Sequence, residues 1–435
     1  MIKRDKYLNQ LIKNMHNGFP KVITGIRRCG KSYLLNTIFK EYLLNNGVKE
    51  ENILSIDMDE ISNISLRNPF KLNQYIEDYI NGKDMVYIII DEIQRVYSVV
   101  NPELTGGEIV KATKNDIEIV SFVDLILGLS HQKNIDLYVT GSNSKMLSSD
   151  IVTEFRDKAT NIHMSPLSFE EFSSYSPLSK EEALKEYMLY GGMPLCILKD
   201  GEEKKDYLKS LYETTYFKDI LEHNHLVKKK TLDELANILS FSIGSFLNVD
   251  KISNTFISVT HEKIDPQTVY RYISFFSDAF IISEAKRYDI KGRKEIGALR
   301  KYYFVDTGLR NARINFAYPD EGALLENVIY NELIYNGYSV NIGTFDNIGK
   351  NKEGNSIRKT NEIDFYASKG LREYYIQVCL DFSNIETRKR EIRPYLLLKD
   401  QVQKIIITNT SFSICKDEHG FLIMNAQDFL LNFIK

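Results

Sequence analysis

The chain predicts an α/β fold whose first part is built on a parallel sheet, and three observations predict it. A short apolar run ends in Thr24-Gly25-Ile26-Arg27-Arg28-Cys29-Gly30-Lys31-Ser32, which satisfies G-x-x-x-x-G-K-[ST], and a helical pattern starts at once. A second run, Met85–Ile90, is continuously apolar rather than alternating, as a central strand covered on both faces requires. Further strand and helix patterns interleave with these two: a strand at Asn52–Asp57, a helix near Lys71–Asn81 and a strand at Ile135–Thr140.

The helix after the glycine loop is predicted over Ser32–Asn45 and stops at Asn46-Gly47. In that setting a strand delivers the loop, its glycines let backbone N–H groups close around phosphate, and the helix N-terminus adds its positive end. Gly25, Ile26, Arg27, Arg28, Cys29, Gly30, Lys31, Ser32 and Tyr33 are the candidate cradle for ATP. Lys31 would neutralise the outer phosphates, and Ser32 would put its hydroxyl on Mg²⁺. Arg27 and Arg28 lie inside the loop and fit either phosphate or a bound partner.

The continuous strand ends in Asp91-Glu92. Asp91 can hold the Mg²⁺ water shell, and Glu92 can polarise the attacking water. An extra strand between the loop strand and this one marks the glutamate-dependent ATPase branch rather than the kinase or GTPase branch. The third strand leads into Gly141-Ser142-Asn143-Ser144, where Asn143 or Ser142 would sense the γ-phosphate; a plain turn fits the same residues. Arg156 follows as the candidate cation for a neighbour's γ-phosphate, which would require an oligomer; a solvated cation is its other reading. A polar stretch from Tyr97 to Asp116 reads as a surface insertion.

Length and composition narrow the field. A chain of 435 residues exceeds one ordinary core, so two to four domains are expected. With 43% apolar and 26% charged residues it is a water-soluble composition, and a net charge of −3 excludes a global attraction to nucleic acid. Cys29, Cys196, Cys379 and Cys415 have no metal-ligand spacing and read as reduced thiols, hence a cytoplasmic protein. No run is long enough for a membrane span or leader.

Several segments together resemble a known group. Besides the glycine loop they are Ile90-Asp91-Glu92-Ile93-Gln94, Val139–Lys145, Pro166-Leu167-Ser168-Phe169-Glu170-Glu171-Phe172 and Tyr190-Gly191-Gly192-Met193-Pro194. The chain resembles the prokaryotic AAA-type P-loop ATPases that carry a C-terminal domain of unknown function with a restriction-endonuclease-like core. The resemblance implies ATP binding and hydrolysis and no particular substrate.

On this reading residues 1–165 form the P-loop NTPase core and 166–230 a helical lid. Residues 231–315 then form a winged helix-turn-helix, in which the helix opened by Asp265 and Pro266 precedes a hairpin at Phe280–Val305. Between Lys286 and Lys301 seven cations stand against only Asp289 and Glu295, a patch suited to DNA; a protein partner suits it equally. Residues 316–435 form the restriction-endonuclease-like α/β domain. Its acidic positions fall on Glu326 and Asp364, but Gln377 and Cys379 replace the carboxylate and lysine that metal-assisted cleavage needs, so nuclease activity is not expected.

Overall fold

The computed structural model describes residues 2–113, 115–116, 118–141, 158–223, 229–260, 264–318, 320–350, 356–410 and 413–435. The chain divides into two units, Met1–Ser165 and Pro166–Lys435.

The first unit is a five-stranded sheet. Its strands are β1 (Lys21–Thr24), β2 (Ile53–Asp57), β3 (Val86–Asp91), β6 (Ile135–Thr140) and β7 (Thr160–His163), in the order β2-β3-β6-β1-β7 with every pair parallel. All residues of β1 and β3 are buried, and in β3 this is read in the sequence as a continuous apolar run. Crossover helices supply the covering. Pro69–Ile80 is capped by Asn68, whose side chain accepts the Phe70 N–H at 2.9 Å, and it buries Leu72, Ile76 and Ile80. Phe122–Ser130 starts in a capping box of Ser121 and Asp124 and packs Ile126 and Leu129 into the same core. The helix after the glycine loop is helical through residue 45, but Leu34–Phe39 is π-wound within it. The insertion after β3 carries a two-stranded ribbon, β4 (Val99–Val100) with β5 (Ile119–Val120).

The second unit begins with helices, among them Phe169–Tyr175, Lys180–Tyr190 and Gly201–Leu211, and ends in an eight-stranded mixed sheet. Its strands are β8 (Ile282–Asp289), β9 (Lys294–Phe304), β10 (Ser339–Lys350), β11 (Ser356–Lys369), β12 (Arg372–Cys379), β13 (Gln403–Thr408), β14 (Cys415–Lys416) and β15 (Leu422–Asn425). The spatial order is β14-β15-β13-β12-β11-β10-β8-β9. The β8–β9 hairpin, expected as a wing, is therefore hydrogen-bonded to the strands that follow residue 316. Arg287, Tyr288 and Asp289 run parallel to Ile342, Gly343 and Thr344. Strand β10 runs its full length, Ser339 to Lys350, against β11. The helix Ile385–Leu396 covers a core that includes Tyr375, Ile392, Tyr395 and Ile406.

Two family segments meet inside this unit. The Leu167 N–H donates to the Gly192 carbonyl at 2.8 Å, and the Gly192 N–H donates to the buried Asp306 carboxylate at 2.7 Å. A Cβ on Gly191, whose φ is +70°, would lie 2.1 Å from the Asp306 Oδ1; one on Gly192 would lie 2.3 Å from the Leu167 carbonyl oxygen. Only glycine fits at either position.

Candidate nucleotide site

In an open parallel sheet, ligands bind beyond the carboxyl ends of the strands. Thr24, Asp57, Asp91, Thr140 and His163 end their five strands there. The glycine loop leaves β1 after Thr24. Gly25 has φ +142°, and a Cβ on it would lie 2.1 Å from the Met164 carbonyl oxygen, so the exit of β7 backs directly onto the loop. Met164 holds it there: its N–H donates to the Thr24 carbonyl at 2.7 Å and its carbonyl accepts from the Cys29 thiol at 3.4 Å. Arg28 and Gly30 both have positive φ, 62° and 102°, which curls the backbone before the helix starts at Lys31.

Lys31 is buried to 4% exposure, and its ammonium donates to the carbonyls of Gly25 at 2.9 Å and Ile26 at 3.1 Å. Among the described residues the ammonium thus spans the loop on neutral acceptors, with no carboxylate against it. Ser32 and Tyr33 are exposed beside it, and so is Arg28, while Cys29 is buried and structural. These features fit a phosphate group with a hydrated Mg²⁺ at the Ser32 hydroxyl.

Two strands away, the ends of β3 and β6 are tied together. Thr140 is fully buried; its hydroxyl donates to the Asp91 carboxylate and accepts the Glu92 N–H at 3.1 Å. Glu92 adopts φ 52° and ψ 47°, a left-handed conformation rare for a residue with a Cβ, and this turns it out of the strand. Its carboxylate accepts from the Gln94 side-chain amide. Asp57, at the neighbouring strand end, is pushed above its ordinary value by burial and by the Asp91 charge, although the Asp59 N–H opposes this. The imidazole of His163 is pushed down to about 4 by loss of hydration and by the Lys31 ammonium. Its Nδ1 lies 3.3 Å from the Thr24 hydroxyl.

The structure therefore brings Gly25 to Tyr33 into one loop and helix start, and places Asp91 and Glu92 at a strand end of the same sheet. Ser142, Asn143 and Arg156 lie outside the described residues. Sequence reasoning missed Thr140 and His163. Thr140 closes a strand that was recognised, but only the sheet order sets that strand beside Asp91. His163 sits on β7, a four-residue strand too short to show alternation.

In the second unit, Glu326, Asp364 and Gln377 come close together with a residue counted at first among the surface cations. Lys301 is 2% exposed; its ammonium lies 3.1 Å from Glu326 Oε1 and 2.7 Å from Glu362 Oε1. The Tyr303 hydroxyl donates to Glu326 at 2.6 Å, and the Gln377 amide donates to Glu391 at 2.6 Å. Burial raises both Glu326 and Asp364 above ordinary carboxylates, and the two charges disfavour each other. The hairpin's charge is accordingly smaller than its sequence suggests. Lys301 is internal, Arg300 pairs with Glu284, and Lys286 pairs with Glu295 at 3.0 Å. The remaining exposed cations are Lys291, Arg293 and Lys294. The helix Pro266–Asp278, capped by Asp265 as expected, exposes Gln267, Tyr270 and Arg271.

Among the described residues no group of acidic, histidine and cysteine side chains could hold a metal ion by itself, and no helix is long and apolar enough to cross a membrane.

Comparison with known proteins bears on the family. Residues 17–173 match the model of an AAA domain, and residues 181–320 match a domain of unknown function (DUF8612). The chain is 30% identical over 439 residues to an uncharacterized protein of Haemophilus influenzae, covering 99% of each. It is 27% identical over 426 residues to one of Methanocaldococcus jannaschii, covering 94% of this chain and 84% of the relative. Among solved structures, the Aeropyrum pernix ORC2 protein superposes with a TM-score of 0.35 at 9% identity, over 75% of this chain and 92% of that one. Aquifex aeolicus DnaA does so with a TM-score of 0.30 at 15% identity, over 62% and 86%. At such scores neither superposition carries an argument. The nearly full-length match to the Haemophilus protein and the AAA model on the loop-bearing sheet place this chain in the family of AAA-type P-loop ATPases that carry a domain of unknown function.

Proposed function

We propose that the chain binds Mg²⁺-ATP on Gly25–Ser32 and hydrolyses it, and that the change of nucleotide state moves the second unit's helical, winged-helix-like and nuclease-like parts. The observation that carries this is the Thr140 hydroxyl bridging Asp91 and the Glu92 N–H beyond the same strand ends that deliver Lys31. Lys31 and the loop amides hold the phosphates, Ser32 and Asp91 hold the hydrated cation, and Glu92 accepts the proton of the attacking water. Asn143 is assigned to orient that water and Arg156 to reach the γ-phosphate of a neighbouring copy. The bound Mg²⁺ supplies charge neutralisation between the outer phosphates.

The purified chain should release phosphate from ATP. Lys31→Ala should abolish nucleotide binding, whereas Glu92→Gln should bind ATP normally and turn it over at least about a hundredfold more slowly. Unchanged turnover by Glu92→Gln removes Glu92 as the base.

A second reading is favoured by the Gln94 amide on the Glu92 carboxylate, which engages one of the two oxygens of the assigned base. It is a nucleotide-gated switch with little turnover that binds DNA, or a protein, through the β8–β9 hairpin. Nucleic-acid binding that follows ATP occupancy, with phosphate release near background, would select this reading.

A further inference from the structure

A cleft of about 550 Å³ opens in the second unit where the turn of the β8–β9 hairpin meets the end of the helix Ile385–Leu396. None of its lining residues belongs to the buried Lys301 cluster. One wall is aromatic. Tyr288 on β8 and Tyr366 on β11 stack with ring centroids 4.7 Å apart and planes 21° apart, and Tyr375 on β12 continues the row at 5.7 Å from Tyr366. The hydroxyls are anchored: Tyr366 donates to Glu373 at 2.7 Å, and Tyr375 donates to Asp400 at 3.2 Å. Asp400 also accepts from Lys404 at 3.3 Å. The carboxylates of the cleft are thus engaged in holding rings: Tyr375, 4% exposed, backs the row, and the half-buried stacked pair Tyr288 and Tyr366 reaches the cleft.

The mouth carries the opposite charge. Lys291, Arg293 and Lys399 line it and are exposed. Lys291 is held by the Asp346 carbonyl at 2.9 Å, and among the described residues Arg293 and Lys399 have no ion-pair partner. A fixed tyrosine pair behind cations that have no ion-pair partner among the described residues complements one ligand chemistry, a planar base joined to a phosphate. The volume suits one such unit with part of the next.

We propose that this cleft binds a nucleobase together with its phosphate, the base stacking on the tyrosine row and the phosphate lying on Arg293 and Lys399. The proposal rests on the hairpin being a nucleic-acid contact and is independent of ATP turnover.

The test is fluorescence anisotropy of an end-labelled 15-nucleotide oligo(dT) with the full chain carrying Lys31→Ala, which silences the glycine loop. Binding should weaken as salt rises. Arg293→Glu with Lys399→Glu, both on exposed side chains, should weaken it at least about tenfold. Tyr366→Leu should weaken it about tenfold, and Tyr366→Phe should stay within about threefold. Should Tyr366→Leu fail to fold, the double charge reversal still decides. Competition by AMP distinguishes the source: AMP displacing the oligonucleotide at comparable concentration assigns a free nucleotide, and a much weaker AMP assigns a single strand. No oligonucleotide binding at low salt overturns the proposal together with the hairpin reading. Binding lost in Lys294→Glu, a hairpin cation outside the cleft, but indifferent to the cleft variants overturns the cleft alone.

Discussion

Replacing Thr140 by valine tests the bond that joins the two strand ends of the candidate site. Valine matches threonine in shape and removes only the hydroxyl. Thr140 is fully buried and Asp91 is 4% exposed, so water cannot replace what is lost. The hydroxyl's bond to an ionised carboxylate contributes about 1.5–3 kcal/mol and the Glu92 N–H bond about 1 kcal/mol, giving roughly 3 kcal/mol together. For a unit of this size, each kcal/mol lowers the melting midpoint by about 2–4 °C, so the Met1–Ser165 transition should fall by about 9 °C in calorimetry. Asp91 would also lose the group that orients it. ATP affinity should therefore drop about tenfold with Mg²⁺ present and barely change in EDTA. Thr140→Ser keeps the hydroxyl and should stay within about threefold. A valine variant that melts within about 2 °C of the unsubstituted protein, with unchanged Mg²⁺ dependence, refutes the bridge.

Asp306 gives a pH signature: burial lifts its carboxyl to about 6 against four backbone N–H bonds that pull it down. A carboxyl raised in the folded state contributes stability below its unfolded value, near 3.8, and loses that contribution as pH rises through 6. The unfolding free energy of the unsubstituted protein relative to Asp306→Asn should thus grow by about 2–4 kcal/mol from pH 7 to pH 4; a flat difference in denaturant titrations contradicts the assignment. Gly191→Ala would drive a Cβ to 2.1 Å from the Asp306 Oδ1 at φ +70°, and should cost more than about 3 kcal/mol or abolish soluble expression. Lys301→Met leaves Glu326 and Glu362 without their buried cation and should cost about 3–5 kcal/mol, of which a second change, Glu326→Gln, should restore part. Urea midpoints of the single and double variants would show it.

The first unit was legible because its sheet is covered on both faces. The continuous apolar run at β3 and the loop between strand and helix are local signals, and they placed Gly25–Ser32, Asp91 and Glu92 at strand ends. Strand order is not a local signal, which is why Thr140 escaped notice although its strand did not. In the second unit the hairpin cations misled for a related reason. A lysine in an alternating strand reads as exposed, yet Lys301 points into a pocket of carboxylates that arrive from the helix Glu321–Tyr335 and from β11. The outer half of the β10–β11 ribbon, Asp346–Ile348 against Arg358–Thr360, gives no strand signal because it lacks the apolar alternation of a strand that buries one face.

Two of the segments that carry the family resemblance pack on each other: Gly191, Gly192 and Leu167 make contacts with one another and with Asp306. Their sequence is dictated by packing, and likeness in them transmits the fold. Functional capacity resides where charge lacks an internal counter-charge. Among the described residues Lys31 donates to neutral carbonyls, and Arg293 and Lys399 have no ion-pair partner beside the aromatic cleft. The buried Lys301 is the reverse case, a cation answered at close range by two carboxylates. That balance removes the electrostatic demand for a second cation beside Lys301.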